Sequence, residues 1–302
     1  MSSSDRTNWT ILLLVGLVDI CWLSRTNFGF TGVWLGVALI ATLMAIALWC
    51  RYARRHRSLG ETAHYLAMWL SLMALVGILS YLAASLGAPL QDDAFVRLDA
   101  ALGFHWQSFS RWLGAHQTVA IVLELAYFSF LLQIFGTIGY FSLTSQDQRN
   151  REFLSMLLLS SLIVVAVSGI VPALGPWDHF GIKVSPLIDH VPHVKLLRAG
   201  APATFEIHDM KGLVTFPSFH TVAALLLIYV HRCRRWLFVA SVMLNGLMLI
   251  SVPPMGSHYL VDVLAGAVVA GLAIAVIRAG RQPVEALRAD ASAASPAIEA
   301  RS

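Results

Sequence analysis

Three residues at the ends of two apolar runs have the types and spacing for nucleophilic and acid–base chemistry. His258 and Asp262 lie four residues apart in GSHYLVDVLAG (256–266), so on a helix their side chains share one face. His220 lies near the start of another apolar run, FPSFHTVAALLL (216–227). Because ionisable side chains are rare and functional in membrane helices, these three mark a candidate site.

The chemistry that suits such a trio is phosphoryl transfer through a histidine. The neutral imidazole of His258 can attack phosphorus, while Asp262 bonds the other ring nitrogen, holds the tautomer and stabilises the charged intermediate. A protonated His220 can give its proton to the leaving alkoxide. Pro217 fits a first helical turn, and Ser218 with the free amides of that turn would stabilise an anionic phosphate.

The composition indicates that membrane helices position these residues. The chain has 302 residues, of which 57% are hydrophobic and only 13% charged, and its mean hydropathy is +0.70. Such a chain has too little charge to cover a water-soluble surface. The net charge of +4 is modest and lies mainly in loops, which indicates orientation and not nucleic-acid binding. The three cysteines are scattered, so no disulfide is expected.

About 20 apolar residues cross a bilayer, and by this rule the sequence predicts an all-α polytopic membrane helical bundle. It would have about eight transmembrane helices, six of them forming a catalytic core. The predicted spans are 9–24, 31–50, 64–88, 118–143, 152–173, 218–231, 236–252 and 258–278.

These spans suggest three regions. Residues 1–63 would form two N-terminal transmembrane helices and a basic cytoplasmic loop. Residues 64–278 would form the catalytic membrane domain, and residues 279–302, rich in Ala, Arg and Ser, a flexible cytoplasmic tail.

The arginines predict the orientation. RYARRHR (51–57), the pair Arg149 and Arg151, and RCRR (232–235) fall in loops on one side of the predicted bundle. The positive-inside rule makes that side cytoplasmic, together with both termini. His220 and His258 are separated by enough chain to cross the membrane, turn and return. Both would therefore lie at the external mouth of the bundle.

Two external segments are long enough to have structure of their own. Residues 98–114 place apolar and aromatic residues at helical spacing, which predicts an interfacial helix. Residues 174–217 contain five of the eleven prolines, and long ordered loops usually cover or build a site. The histidines of this segment are irregularly spaced and are expected to be mostly solvated: His179, His190, His193 and His208.

FPSFHT and GSHYLVD resemble the second and third signature motifs, PSGH and SRxxxxxHxxxD, of the type 2 phosphatidic acid phosphatase superfamily. The variant here is more similar to the inositol phosphorylceramide synthase branch, as are LDAALGFHW and AYFSFLLQ upstream. The resemblance covers roughly residues 90–275. It implies an integral membrane lipid phosphatase or phosphotransferase that acts at the outer face on a phospholipid or lipid phosphate, with no cofactor.

The sequence departs from those motifs where the phosphate would bind. Val252 stands in place of the arginine of the third motif, Phe219 replaces the glycine of PSGH, and the first motif, KxxxxxxRP, is absent. Other cations would then have to bind the phosphate. The candidates lie in the external loop, with Arg198 first and Lys195 and Lys211 beside it. These departures disfavour a plain phosphatase more than a phosphotransferase.

Two other functions fit part of the pattern. Two histidines and an aspartate are a legitimate zinc ligand set, but no further His or Glu sits at ligand spacing, so we expect no metal. A transporter would place coupling residues near the bilayer midplane, whereas here the ionisable residues gather at one mouth.

Two carboxylates within predicted spans have open roles. Glu124 is either a buried carboxylate paired with Tyr127 or a cavity residue that binds a hydroxyl of an acceptor. Asp19 is expected to be exposed at the interface or paired with Arg25.

Overall fold

The computed structural model describes residues 2–186 and 188–280, and 75% of it is helical. The predicted all-α polytopic bundle is confirmed. All but two residues of the predicted tail, 279–302, lie outside the described residues. The three cysteines are free.

The structure has thirteen α-helices and two short strands within the described ranges. In chain order they are α1 (Ser3–Leu23), β1 (Phe28–Thr31), α2 (Val33–Tyr52), α3 (Arg57–Ala84), α4 (Asp92–Ala101), α5 (Trp106–Ala115), α6 (Gln117–Phe128), α7 (Phe130–Leu143), α8 (Asp147–Ile170), α9 (Pro176–His179), α10 (Val191–Arg198), β2 (Ala203–Glu206), α11 (Phe219–Val230), α12 (Arg235–Gly256) and α13 (Leu260–Ala279).

Six of these helices, α1, α2, α3, α8, α12 and α13, are long and apolar enough to cross a membrane. Helices α6 and α7 together are long and apolar enough to form one span, which is bent by 44° between them. The sequence predicts a single span over 118–143 here, without this break. The predicted span 218–231 corresponds to α11, which has 12 residues and is about 18 Å long. It is therefore too short to cross the hydrocarbon core alone.

The predicted interfacial helix over 98–114 is wrong as a single element. The chain forms α4 and α5 there, with a break between Ala101 and Trp106. Gly103 in this break has a φ of +77°, a conformation that glycine adopts without penalty and that ends α4.

The core lies where α3 and α8 pack against α7, α11 and α13. Tyr65, Met68, Trp69, Leu72 and Val76 of α3 are buried, and their spacing of three and four residues makes one continuous apolar face. Helix α2 packs against α3 and is otherwise exposed, so its outer apolar surface faces the region that lipid would fill.

Ion pairs and capping interactions close one end of the bundle, which we call the arginine end. An Arg57 nitrogen lies 2.7 Å from an Asp147 carboxylate oxygen. Arg149 donates to the Val230 carbonyl at the last turn of α11, where a cation is favourable. Helices α11 and α13 begin at the opposite end, which we call the histidine end.

At the histidine end, the connection between α1 and α2 pairs with the long loop before α11. Strands β1 and β2 are parallel, with Phe28 opposite Ala203 and Thr31 opposite Glu206. Phe205 packs on the ring of Tyr81, with ring centroids 4.9 Å apart. The described residues of the segment 174–217 (174–186 and 188–217) thus form a cover at this end.

The close contact of α13 with the start of α11 depends on Gly266. A Cβ atom at this position would lie 2.5 Å from the Ser218 carbonyl oxygen and 2.9 Å from the Thr221 Cβ. Neither neighbour is the flexible end of a side chain, so the two helices could accept a larger residue only by moving apart.

We predict that Gly266→Ala lowers the stability of the purified protein by about 1–3 kcal/mol because of this overpacking. The measurement is the thermal unfolding midpoint in detergent. Gly271→Ala is the matched control, since a Cβ there meets nothing within 4 Å and alanine favours a helix. Equal midpoints for the two variants would show that the helices are not in tight contact.

Candidate active site

The second motif forms the N-terminus of α11. Ser218 is its N-cap, and its side-chain oxygen accepts a hydrogen bond from the Thr221 amide at 3.4 Å, which is the usual role of serine at this position. The backbone amide of Ser218 donates to the Asp262 carbonyl at 3.0 Å. Thus His220 is fixed in the first turn of α11, next to the start of α13.

The third motif forms the sharp connection between α12 and α13. Ser257, at the end of α12, adopts a left-handed conformation with φ of +53°, so the chain turns before Tyr259. His258 lies within this connection and is 3% exposed. Its Nδ1 is 3.2 Å from an oxygen of Asp262, and the same oxygen accepts the Tyr259 amide at 2.8 Å.

The two histidines meet around Tyr127 of α6. The Tyr127 ring stacks on His220 with centroids 4.2 Å apart, and its hydroxyl lies 3.3 Å from Nδ1 of His220. A Cβ built on Gly256 would touch both the Tyr127 hydroxyl, at 2.8 Å, and the ring of His258, at 2.7 Å. The structure therefore brings together the three predicted catalytic residues and Tyr127.

The second ring nitrogen of His258 lies beside the start of α11. Its Nε2 lies 3.5 Å from the Ser218 hydroxyl. Because the Asp262 carboxylate only accepts hydrogen bonds, it favours the tautomer with the proton on Nδ1 and the lone pair on Nε2. The nitrogen that carries the lone pair thus lies beside the N-terminus of α11, where an anion is stabilised.

Two carboxylates of α4 hold the third motif in place, and sequence reasoning missed both. Asp99 accepts the amides of Leu260 and Val261 at 2.8 and 3.0 Å, which caps the start of α13. Asp92 accepts the Tyr259 hydroxyl at 2.9 Å. Asp99 lies in LDAALGFHW, a stretch that shows the family resemblance, and Asp92 lies just before it. Nothing in the spacing of this stretch indicated that the two carboxylates bond to Tyr259, Leu260 and Val261.

Asp92 also binds the cover of the site. It accepts the amides of Leu174 and Gly175 at 3.1 and 2.8 Å. Gly175 has a φ of +91°, and a Cβ there would lie 2.3 Å from the Ser257 carbonyl oxygen, so only glycine fits. The Trp177 amide next donates to the Ser257 hydroxyl at 3.0 Å, which places this loop against the connection that carries His258.

His190 is a third histidine of the site, and its expected solvation is wrong. It is 5% exposed, its Nε2 lies 3.0 Å from the Leu174 carbonyl oxygen, and it interacts electrostatically with His258. Burial, the largest effect, lowers the pKa of His190. The only sequence signal was its place before Val191-Pro192, where a helix can begin.

Burial also controls the charge of His258. It lowers the pKa of this imidazole to about 4, against a smaller opposing effect of the Thr215 carbonyl. At neutral pH the ring is therefore uncharged, as a nitrogen nucleophile must be.

The structure does not bring the predicted phosphate-binding cations to the trio. Arg198 donates to the Ala88 carbonyl at 2.8 Å, and the Lys211 ammonium pairs with Asp209. Lys195 pairs with Asp178 at 2.6 Å, and the next residue back, Trp177, contacts Ser257 beside His258.

Of the two membrane carboxylates, Asp19 does not match its expected environment, and the burial of Glu124 against Tyr127 is wrong. Glu124 is exposed on α6, one turn before Tyr127; its role in binding an acceptor hydroxyl stays a prediction. Asp19 is 2% exposed, and neither of its carboxylate oxygens has a hydrogen-bond partner among the described residues. Val252, in place of the arginine of the third motif, is fully buried.

The donor set gives no support to a metal centre. Within residues 2–186 and 188–280, no three His, Cys, Asp or Glu side chains converge as ligands of one ion. One nitrogen of His258 already contacts Asp262.

Comparison with known proteins identifies the family. The model of the PAP2 superfamily matches residues 93–276, a range that begins in α4 and ends in α13. The chain therefore belongs to the PAP2 superfamily and is an integral membrane enzyme of the lipid phosphatase or phosphotransferase type. No curated protein and no solved structure matches it significantly.

We predict that Asp92→Asn destabilises both the cover and the third motif. An amide group cannot accept all three hydrogen bonds that Asp92 now accepts, and each buried donor left unpaired costs about 1–3 kcal/mol. The thermal midpoint and the turnover of a phosphate ester should both fall. Asp93→Asn is the control, since the Asp93 side chain is 84% exposed; equal effects of the two substitutions would contradict the assigned role.

Proposed function

We propose that this protein transfers a phosphoryl-containing group from a lipid through a phosphohistidine on His258. The contact between Nδ1 of His258 and Asp262 is the observation that carries the proposal. It leaves Nε2 uncharged, unprotonated and next to the N-terminus of α11, where a phosphate would be stabilised. Ser218 would bind that phosphate as well.

The reaction has two steps that balance. In the first, Nε2 of His258 forms a bond to phosphorus, the bond from phosphorus to the leaving oxygen breaks, and His220, which is protonated when the anionic phosphate binds beside it, gives that oxygen a proton. In the second, an acceptor hydroxyl attacks phosphorus, the phosphorus–nitrogen bond breaks, and His220 takes the acceptor proton. Asp262 stabilises the charged imidazole between the steps, and no metal takes part.

The acceptor decides between a phosphatase and a phosphotransferase. We favour transfer to the hydroxyl of a second lipid, as in the inositol phosphorylceramide synthase branch that the motifs resemble. The supporting observation is burial, because His258 and Asp262 are 3% and 0% exposed and the cover of the site limits the entry of water. Tyr127 lies at His220, where the acceptor hydroxyl would be deprotonated.

The cations that hold the phosphate are proposed to come from the segment over the site. Lys195 is favoured by its link through Asp178 to Trp177, with Arg198 and Lys211 as further candidates. We propose that this end of the bundle is external and that both termini are cytoplasmic, since the arginine-rich loops lie at the other end.

We predict that His258→Ala abolishes turnover, with a loss of roughly a thousandfold or more, whereas EDTA has no effect on the wild type. Purified wild-type and variant proteins in detergent are given a panel of phospholipids with EDTA, and free phosphate and new phospholipids are measured. His208→Ala is the control, since this imidazole lies on the exposed surface of the cover.

The products distinguish the two proposed reactions, since free phosphate indicates hydrolysis and a new phospholipid indicates transfer. Activity that EDTA removes and zinc restores would refute the metal-free mechanism. No turnover of any lipid would instead favour a transporter.

We predict that His220→Gln slows the transfer of groups from alkyl phosphate esters by roughly 10²–10⁴-fold. Nitrophenyl esters should be affected much less, because their leaving group needs no proton. The measurement is kcat for both esters in the wild type and the variant. An equal loss with both esters would show that His220 does not act as the acid.

A further inference from the structure

A basic pocket lies at the arginine end of the bundle, far from the histidines. It is formed by the end of α2 and the start of α3 and encloses about 390 Å³. Its lining includes four arginines, one carboxylate and one histidine: Arg51, Arg54, Arg55, Arg57, Glu61 and His64.

The charges of the pocket are not balanced within the protein. Arg57 is bound to Asp147. For Arg51, Arg54 and Arg55, the contacts described for residues 2–186 and 188–280 include no side-chain hydrogen bond or ion pair. Glu61 is the only carboxylate among the lining residues, and the buried Asp5 of α1 acts on both Glu61 and His64 from behind the wall. Three arginines thus face two carboxylates, so the pocket keeps an excess of positive charge and favours an anion.

A buried polar atom in the wall also lacks a partner. His64 is 5% exposed and lines the pocket, and its Nε2 has no hydrogen-bond partner in the part of the chain that the structure describes. A buried polar group without a partner is unfavourable and rare in native proteins. Because this nitrogen is itself enclosed, the pocket binds its ligand through the arginines, and His64 contributes to the wall.

The inner wall of the pocket is closely packed. A Cβ on Gly60 would lie 2.8 Å from the Cβ of Cys50, so α2 and α3 are in direct contact there. On the other side, the wall continues into the exposed apolar surface of α2, where Leu48 and Trp49 are 59% and 57% exposed. The pocket thus joins a cationic mouth to a surface suited to acyl chains.

We propose that this pocket binds the phosphate-bearing headgroup of an anionic phospholipid, in the leaflet opposite to the histidine end. The arginines would bind the phosphate oxygens, as guanidinium groups do with two parallel hydrogen bonds. The acyl chains would lie along α2. A basic pocket between helix ends beside an apolar surface is typical of anionic lipid sites.

This site is separate from the proposed catalysis. The pocket lies in residues 44–64, before the region matched by the family model, which begins at residue 93. A lipid bound there would lie at the other end of the bundle from His258 and could not be its substrate in the same position.

The test is native mass spectrometry of the full chain in detergent, titrated with phosphatidylglycerol, with phosphatidylcholine and with glycerol 3-phosphate. We expect the wild type to bind phosphatidylglycerol most tightly. Arg51→Gln with Arg54→Gln should weaken that binding at least about tenfold. Arg234→Gln with Arg235→Gln is the matched control, because it removes the same charge at the same end but outside the pocket.

Glu61→Gln should change the affinity for phosphatidylglycerol in the opposite direction to the arginine substitutions. A misfolded protein would not bind the lipid more tightly. Removing the only lining carboxylate should strengthen phosphatidylglycerol binding several-fold.

Three results would overturn the proposal. The first is equal weakening by the two arginine pairs, which would indicate a general charge effect. The second is equal affinity for phosphatidylcholine, which would remove the preference for anionic lipid. The third is an affinity for glycerol 3-phosphate equal to that for the lipid, which would indicate a soluble phosphate ligand.

Discussion

The hydrogen bond from the Ser218 amide to the Asp262 carbonyl joins the two helices on which the site depends. It fixes the start of α11 against the start of α13, and Gly266 lets the helices approach closely enough for it to form. His220 and His258 belong to different motifs, yet this contact sets their separation. The trio is therefore a property of helix packing as much as of the residues themselves.

A network of carboxylates surrounds this contact. Asp92, Asp99 and Asp262 each accept backbone amides, and together they hold the connection after α12, the start of α13 and the loop above them. Buried carboxylates that accept several backbone hydrogen bonds are rigid. This rigidity positions His258 in a chain whose third motif has Val252 in place of arginine.

The sequence predicted the helical membrane bundle, the trio and its convergence at one end, because hydropathy and spacing report local structure and topology. It failed where tertiary contacts decide. The break between α4 and α5 depends on the conformation of Gly103, and the bend between α6 and α7 has no signal in the hydropathy of 118–143. Partners far along the chain decide the burial of His190 and the roles of Asp92 and Asp99. The exposure of Glu124 shows that the position of a residue within a span does not predict whether its side chain is buried.

The shortness of α11 has a consequence for how the site can vary. Since this helix is about 18 Å long, a full crossing at this place would need the chain before it, and backbone without helical hydrogen bonds must be shielded from lipid. Thr215 and Leu213 are buried there, and the Thr215 hydroxyl satisfies the Ala173 carbonyl. The residues just before α11 can therefore vary only in ways that keep the polar backbone groups there buried and hydrogen-bonded. This constraint holds whichever lipid the enzyme uses.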